Sequence, residues 1–219
     1  MEPASLTPSQ HYSRNGSLAL PGLFPAEVLH AFYGQMQSDM QSGGRSMRAF
    51  ATRGPLLRRE SIEIYAHQYP PMLTFLWGLT PRISLATDCD LLPTYAYFRL
   101  YQRDDVCRIH ADRDACEHSL SLTIAYAEDK PWALSVATQR SETRQPINDD
   151  FGDAPYESIA MQPGDGVLYQ GIHHRHGRLS ANPNSWSAHL FLHWVDRNGV
   201  YSDQAFDRPT IAEVNRAIR

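Results

Sequence analysis

The chain has 219 residues, 42% hydrophobic and 20% charged, which suits one soluble domain over 1–219 with a buried core. Lys130 is the only lysine among 20 basic residues, which excludes a P-loop lysine and leaves Schiff-base catalysis little scope. Anions must then be gripped by Arg, His, hydroxyls or backbone N–H groups, and a net charge of −4 argues against nucleic acid as a partner.

Cys89, Cys107 and Cys116 form no C-x-x-C pair and read as reduced thiols. The polar start MEPASLTPSQHYSRNG lacks the apolar run of a signal peptide, and stretches such as PPMLTFLWGL are too short to span a bilayer. A cytoplasmic protein with no membrane partner is expected.

Residues 1–20, rich in Ser, Pro and Asn, read as a flexible arm. From Pro25, the residues Val28, Leu29, Phe32, Met36 and Met40 recur at helical steps, with Pro25 suited to the first turn. An irregular connection follows over 41–54. A second helical region then runs from about Ser61 to Leu79, interrupted at Pro70-Pro71, making 21–93 a helical support.

From Thr94 the texture changes to short strands. Tyr95, Tyr97, Arg99 and Tyr101 alternate with Ala96, Phe98 and Leu100, and 118–126 (HSLSLTIAY) alternates again. Further strands are expected at 132–138, 157–161, 166–172 and 187–195, with a turn at Pro163-Gly164-Asp165. The polar stretch 139–156 reads as a surface loop. Residues 198–219 read as a C-terminal extension, with a short helix near 210–218 presenting Ile211, Val214 and Ile218. The pattern predicts a mainly β fold with N-terminal helices, its sandwich or barrel core spanning 94–197.

Seven of the ten histidines lie between 110 and 193. In His110-Ala111-Asp112, residues i and i+2 project to the same side of extended chain, so imidazole and carboxylate can share one metal ion. His173, His174 and His176 follow the strand at 166–172, and His189 and His193 lie on the last strand. H-x-D with a later histidine after a turn-strand unit fits a two-His–one-carboxylate metal site.

The segments YAYFRLY, IHADRDACEHSLSLTIAY, PGDGVLYQG, H-x-R and FLHW make residues 94–197 resemble the Fe(II)/2-oxoglutarate-dependent oxygenases, closest to their prolyl-hydroxylase-like branch. The resemblance implies a double-stranded β-helix (jelly roll) supported by α-helices, with Fe(II), 2-oxoglutarate as co-substrate and O2. It implies His110 and Asp112 as iron ligands. His176, eleven residues after Asp165 and two before Arg178, would be the distal ligand, with His174 the runner-up. Tyr101, nine residues before His110, takes the place of a 2-oxoglutarate-contacting tyrosine.

The sequence departs from the family where the final strand, SWSAHLFLHW, lacks the usual basic residue for the distal carboxylate. Arg178 and Arg99 are the favoured replacements, with Arg113, or His189 with Ser187, behind them. Lys130 is a poor candidate. Tyr97 and Arg113 are expected on the substrate side, His193 and Trp194 in packing, and Cys116 as a buried thiol without direct chemistry.

The retained Asp112 favours hydroxylation or desaturation over halogenation. The implied reaction is hydroxylation of an unactivated C–H bond, with succinate and CO2 as co-products. Loops 41–59 and 139–156 are the expected lids. Arg45, Arg48, Arg53, Arg58 and Arg59 form a basic cluster, readable either as an anion contact or as a solvated face. The expected substrate is a small molecule or an amino-acid side chain. The alternative is a cupin-like hydrolase or isomerase using the same His/Asp set on Zn2+ or Mn2+ without 2-oxoglutarate.

Overall fold

A computed structural model describes residues 6–143 and 145–207. Near the start, the side chains of Thr7 and Gln10 accept from each other's backbone N–H groups, a capping box with Pro8 in the first turn. Helix α1 (Pro8–Asn15) therefore forms where a flexible arm is expected. Gly16, at φ 72°, turns the chain into β1 (Ser17–Leu20), an edge strand on β9 (Gly166–Tyr169). Tyr12 is buried, its Oη 2.8 Å from His118 Nδ1.

Helix α2 (Ala26–Ser42) follows the expected periodicity, burying Leu29, Met36 and Met40. The second helical region differs. Ser61–Tyr65 is a strand, β3, because Ser-Ile-Glu-Ile-Tyr alternates with β-branched and aromatic residues and finds a partner in β4 (Leu91–Gln102). Pro70-Pro71 starts α3 (Met72–Thr87) rather than interrupting it, Pro71 standing at the N-cap.

The remaining strands are β2 (Ala51–Thr52), β5 (Cys107–His110), β6 (His118–Tyr126), β7 (Leu134–Ala137), β8 (Tyr156–Ile159), β10 (His176–Arg178) and β11 (Trp186–Asp196). They form two antiparallel sheets, ordered β1-β9-β6-β11-β4-β3-β2 and β5-β10-β7-β8, the jelly roll anticipated from sequence. The helix expected near 210–218 lies outside the described residues. No helix among them is long and apolar enough to cross a membrane.

Strand alternation divides the larger sheet by face. Ala96 and Phe98 of β4, Leu120, Leu122 and Ile124 of β6, and Leu190, Leu192 and Trp194 of β11 join α2 and α3 in the main core. Full burial of such side chains contributes ~1.5–3 kcal/mol each. The opposite face, with Tyr95, Tyr97, Arg99, Tyr101, Phe191 and His193, lines an interior cavity shared with the smaller sheet.

Burial pushes His118 down to about 4, below the ~6.5 of an unfolded histidine. Below pH ~6.5 the unfolded chain takes a proton that the folded chain refuses, so stability falls as pH drops toward 4. This one group should cost about 2 kcal/mol at pH 5 relative to pH 7. Urea midpoints that coincide at the two pH values would contradict it.

Candidate metal centre

In the smaller sheet, His176 of β10 stands directly opposite His110 of β5, with ring centroids 4.5 Å apart. Asp112 follows β5, its N–H donating to Gly171 O at 2.9 Å. Its two carboxylate oxygens lie 3.4 Å from His110 Nε2 and 3.4 Å from His176 Nε2. One ligand atom from each of the three residues falls within 4.8 Å of the others.

His110 Nδ1 is 2.7 Å from Arg108 O and His176 Nδ1 is 3.0 Å from His174 O. Each Nδ1–H therefore donates to a backbone carbonyl, which leaves the Nε2 lone pair for a cation. Burial opposes the Asp112 carboxylate's charge, but His176 and His110 hold it well below the usual carboxylate range. Burial also opposes a charge on His110, yet hydrogen bonds to Asp112 and Cys107 push it up to about 10. A cation entering the set displaces that proton.

His174 points elsewhere. Its Nδ1 lies 2.8 Å from Ala137 O, and its ring packs where a Cβ on Gly16 would stand. The alternation that made it a runner-up does not apply, because β10 begins only at His176.

Gly177, between His176 and Arg178, lets β10 approach β5. A Cβ there would meet Cys107 O at 2.5 Å and Arg108 O at 2.9 Å, both backbone atoms. Gly177→Ala must separate the strands that carry His110 and His176. It is expected to weaken Co2+ binding roughly tenfold or more and to cost ~1–3 kcal/mol. Calorimetric titration and thermal melting check this.

Arg178 is 1% exposed. It donates to Trp132 O, to Ser121 Oγ at 3.4 Å and to His189 Nδ1 at 3.2 Å, and its guanidinium lies 4.6 Å from the Trp132 ring centroid. No carboxylate pairs with it among the described residues. Arg99 differs, because its Nε donates to Glu63 at 2.9 Å and Nη1 to Tyr101 Oη at 3.2 Å. Burial, countered in part by Arg99, pushes Tyr101 up to about 12, so it is a neutral phenol.

Burial, with Arg178 and Arg99 nearby, keeps His189 neutral. Arginine can only donate, so His189 Nδ1 accepts and its Nε2 carries the proton. Ser187 is engaged elsewhere, donating to Asn182 at 2.7 Å. Arg113 sits exposed at the rim, 4.2 Å above Tyr95. Tyr97 stacks between Tyr65 and Phe191, with centroids at 5.3 and 4.9 Å. Lys130 and the arginines at 45, 48, 53, 58 and 59 are exposed and outside the cavity lining.

No protein-family profile and no curated protein matches the sequence. Solved structures do. The non-haem α-ketoglutarate-dependent carbocyclase SnoK of nogalamycin biosynthesis matches 98% of this chain and 91% of its own, at TM-score 0.69 and 11% identity. HygX of Streptomyces hygroscopicus, solved with nickel and 2-oxoglutarate, matches 89% of each chain at TM-score 0.62 and 13% identity. A Pseudomonas putida prolyl-4-hydroxylase matches 86% of this chain and 96% of its own at TM-score 0.58 and 15% identity. The chain has the 2-oxoglutarate/Fe(II) oxygenase fold.

Within this oxygenase fold, two cavity-lining residues and one neighbour of Arg178 were passed over or set aside by sequence reasoning. Tyr169 of β9 lines it, with its ring 4.4 Å from His176, and the alternation of Val167 and Tyr169 was the available signal. Trp132, in a loop, covers Arg178 and has no periodic signal. His193, expected in packing, lines the same cavity.

Proposed function

We propose that the chain is a non-haem Fe(II)/2-oxoglutarate-dependent oxygenase that hydroxylates an unactivated C–H bond of a small molecule or amino-acid side chain. One observation carries the reading. A two-His–one-carboxylate set shares a cavity with a buried arginine that no carboxylate neutralises among the described residues. An unpaired buried cation is costly, and an anionic ligand offsets that cost. The alternative metallohydrolase gives Arg178 no such partner.

His110, Asp112 and His176 would hold Fe(II). Iron bound there supplies O2-dependent oxidation coupled to decarboxylation of 2-oxoglutarate to succinate and CO2. Arg178 would take the distal carboxylate with its fork of donors, helped by the Tyr101 hydroxyl and the His189 Nε2–H. Arg99, already paired with Glu63, would act through Tyr101. Tyr97 and Phe191 wall the cavity against water, and Arg113 at the rim would meet a polar group on the substrate.

HygX has been solved with hygromycin B bound, and this supports a small-molecule substrate over a protein. Anaerobic addition of Fe(II) and then 2-oxoglutarate should give the weak visible charge-transfer band of a chelated 2-oxo acid. Tight Zn2+ binding without that band would favour the hydrolase reading instead.

A further inference from the structure

His193 differs from the packing residue that its strand suggested. It is 2% exposed and stacked on Tyr95 with centroids 4.4 Å apart. Its Nδ1 lies 2.9 Å from Ser119 Oγ, while its Nε2 is buried without a partner. A buried polar atom left bare asks for an explanation. As in His110 and His176, one ring nitrogen sits on an oxygen; their Nε2 atoms face Asp112, whereas that of His193 has no partner.

A hydroxyl accepts as readily as it donates, so an Nδ1–H donating to Ser119 leaves a lone pair on His193 Nε2. His189, whose Nδ1 receives Arg178, cannot adopt that state. A ring nitrogen of His193, the Cys116 sulfur and a carboxylate oxygen of Asp112 lie within 4.8 Å of one another. Tyr95 Oη stands 3.2 Å from that sulfur.

We propose that Asp112, Cys116 and His193 form a second divalent-cation site, which takes thiophilic ions such as Zn2+. Thiolate, imidazole and carboxylate with one further position make a tetrahedral zinc set, whereas His110, Asp112 and His176 offer no sulfur. On binding, the Cys116 thiol gives its proton to solvent and a sulfur–metal bond replaces the S–H bond. Asp112 belongs to both sets. Zn2+ at the second site engages the carboxylate that Fe(II) needs, so the site is inhibitory. That competition rests on the iron site proposed above, whereas the thiophilic site stands on its own geometry.

Co2+ is the probe, because its absorption reports its ligands. Wild-type chain and His176→Ala should both show a near-ultraviolet thiolate-to-cobalt band under anaerobic conditions. Cys116→Ser and His193→Phe should lose it. Cys116→Ser should keep the visible Fe(II)–2-oxoglutarate band and need roughly tenfold more Zn2+ to abolish it.

Cobalt bound without a thiolate band in the wild type overturns the second site. So does a band that survives Cys116→Ser, which assigns the sulfur to another cysteine. A cobalt–thiolate band that Cys116→Ser removes, in a chain that gives no Fe(II)–2-oxoglutarate band, supports the second site and overturns the iron reading with its competition.

Discussion

Asp112→Ala should leave a folded chain that neither holds Fe(II) nor forms succinate. Asp112 supplies the only carboxylate set against both His110 and His176 among the described residues, and its side chain is 16% exposed, so water cannot readily take its place. The variant offers a cation two neutral imidazoles, and affinity should fall by at least ~100-fold. The fold should survive, because both histidines keep their bonds to the Arg108 and His174 carbonyls. Co2+ calorimetry and succinate measured by NMR check the two halves. Succinate at the wild-type rate would remove Asp112 from the ligand set.

Arg178→Met should raise the 2-oxoglutarate requirement while leaving the cation in place. Removing one partner of a buried charge pair costs ~2–5 kcal/mol, about 30-fold to several thousand-fold in apparent Kd. Methionine fills much of the volume beside Trp132 and leaves no buried charge behind. Arg99→Met should act differently, because it strands Glu63, whose side chain is 15% exposed, and so should lower stability first. Titrating the visible band with 2-oxoglutarate separates the two arginines. A weakened titration in Arg99→Met, with Arg178→Met unaffected, would exchange their roles.

His110-x-Asp112 was legible because it is local, two residues on one extended segment. The distal histidine is assigned by its interval from Asp165 in the family resemblance, not by strand alternation. Residues 171–175 are outside any strand, and β10 is three residues long, so strand alternation says nothing about which histidine faces Asp112. The pairing of His176 with His110 decides it, and that is a long-range register. β3 was hidden for the same reason, since the partner that makes Ser61–Tyr65 a strand lies in β4. α1 was legible in principle, because Thr7-Pro8 with Gln10 is a capping signal within the segment read as an arm.

The orientation of β11 shows what a strand cannot say about itself. Alternation puts His189, Phe191 and His193 on one face and Leu190, Leu192 and Trp194 on the other. Only the placement of α2 and α3 over the leucines turns the histidines toward the cavity. Two histidines on the side opposite an apolar stripe were the available sign that His193 faces the cavity.

β10 carries His176 and Arg178 two positions apart, a step of about 6.5–7 Å along a strand. The proposed metal contact and the proposed distal-carboxylate contact would therefore be spaced by backbone geometry, not by a loop. Insertions or deletions in the turns before His176 would carry both groups together and conserve the interval. Under the proposed roles, selection of the co-acid by chain length would be built into the sheet. Four- and six-carbon 2-oxo diacids would meet two anchors set for five carbons, and loops that change with the substrate leave that interval untouched.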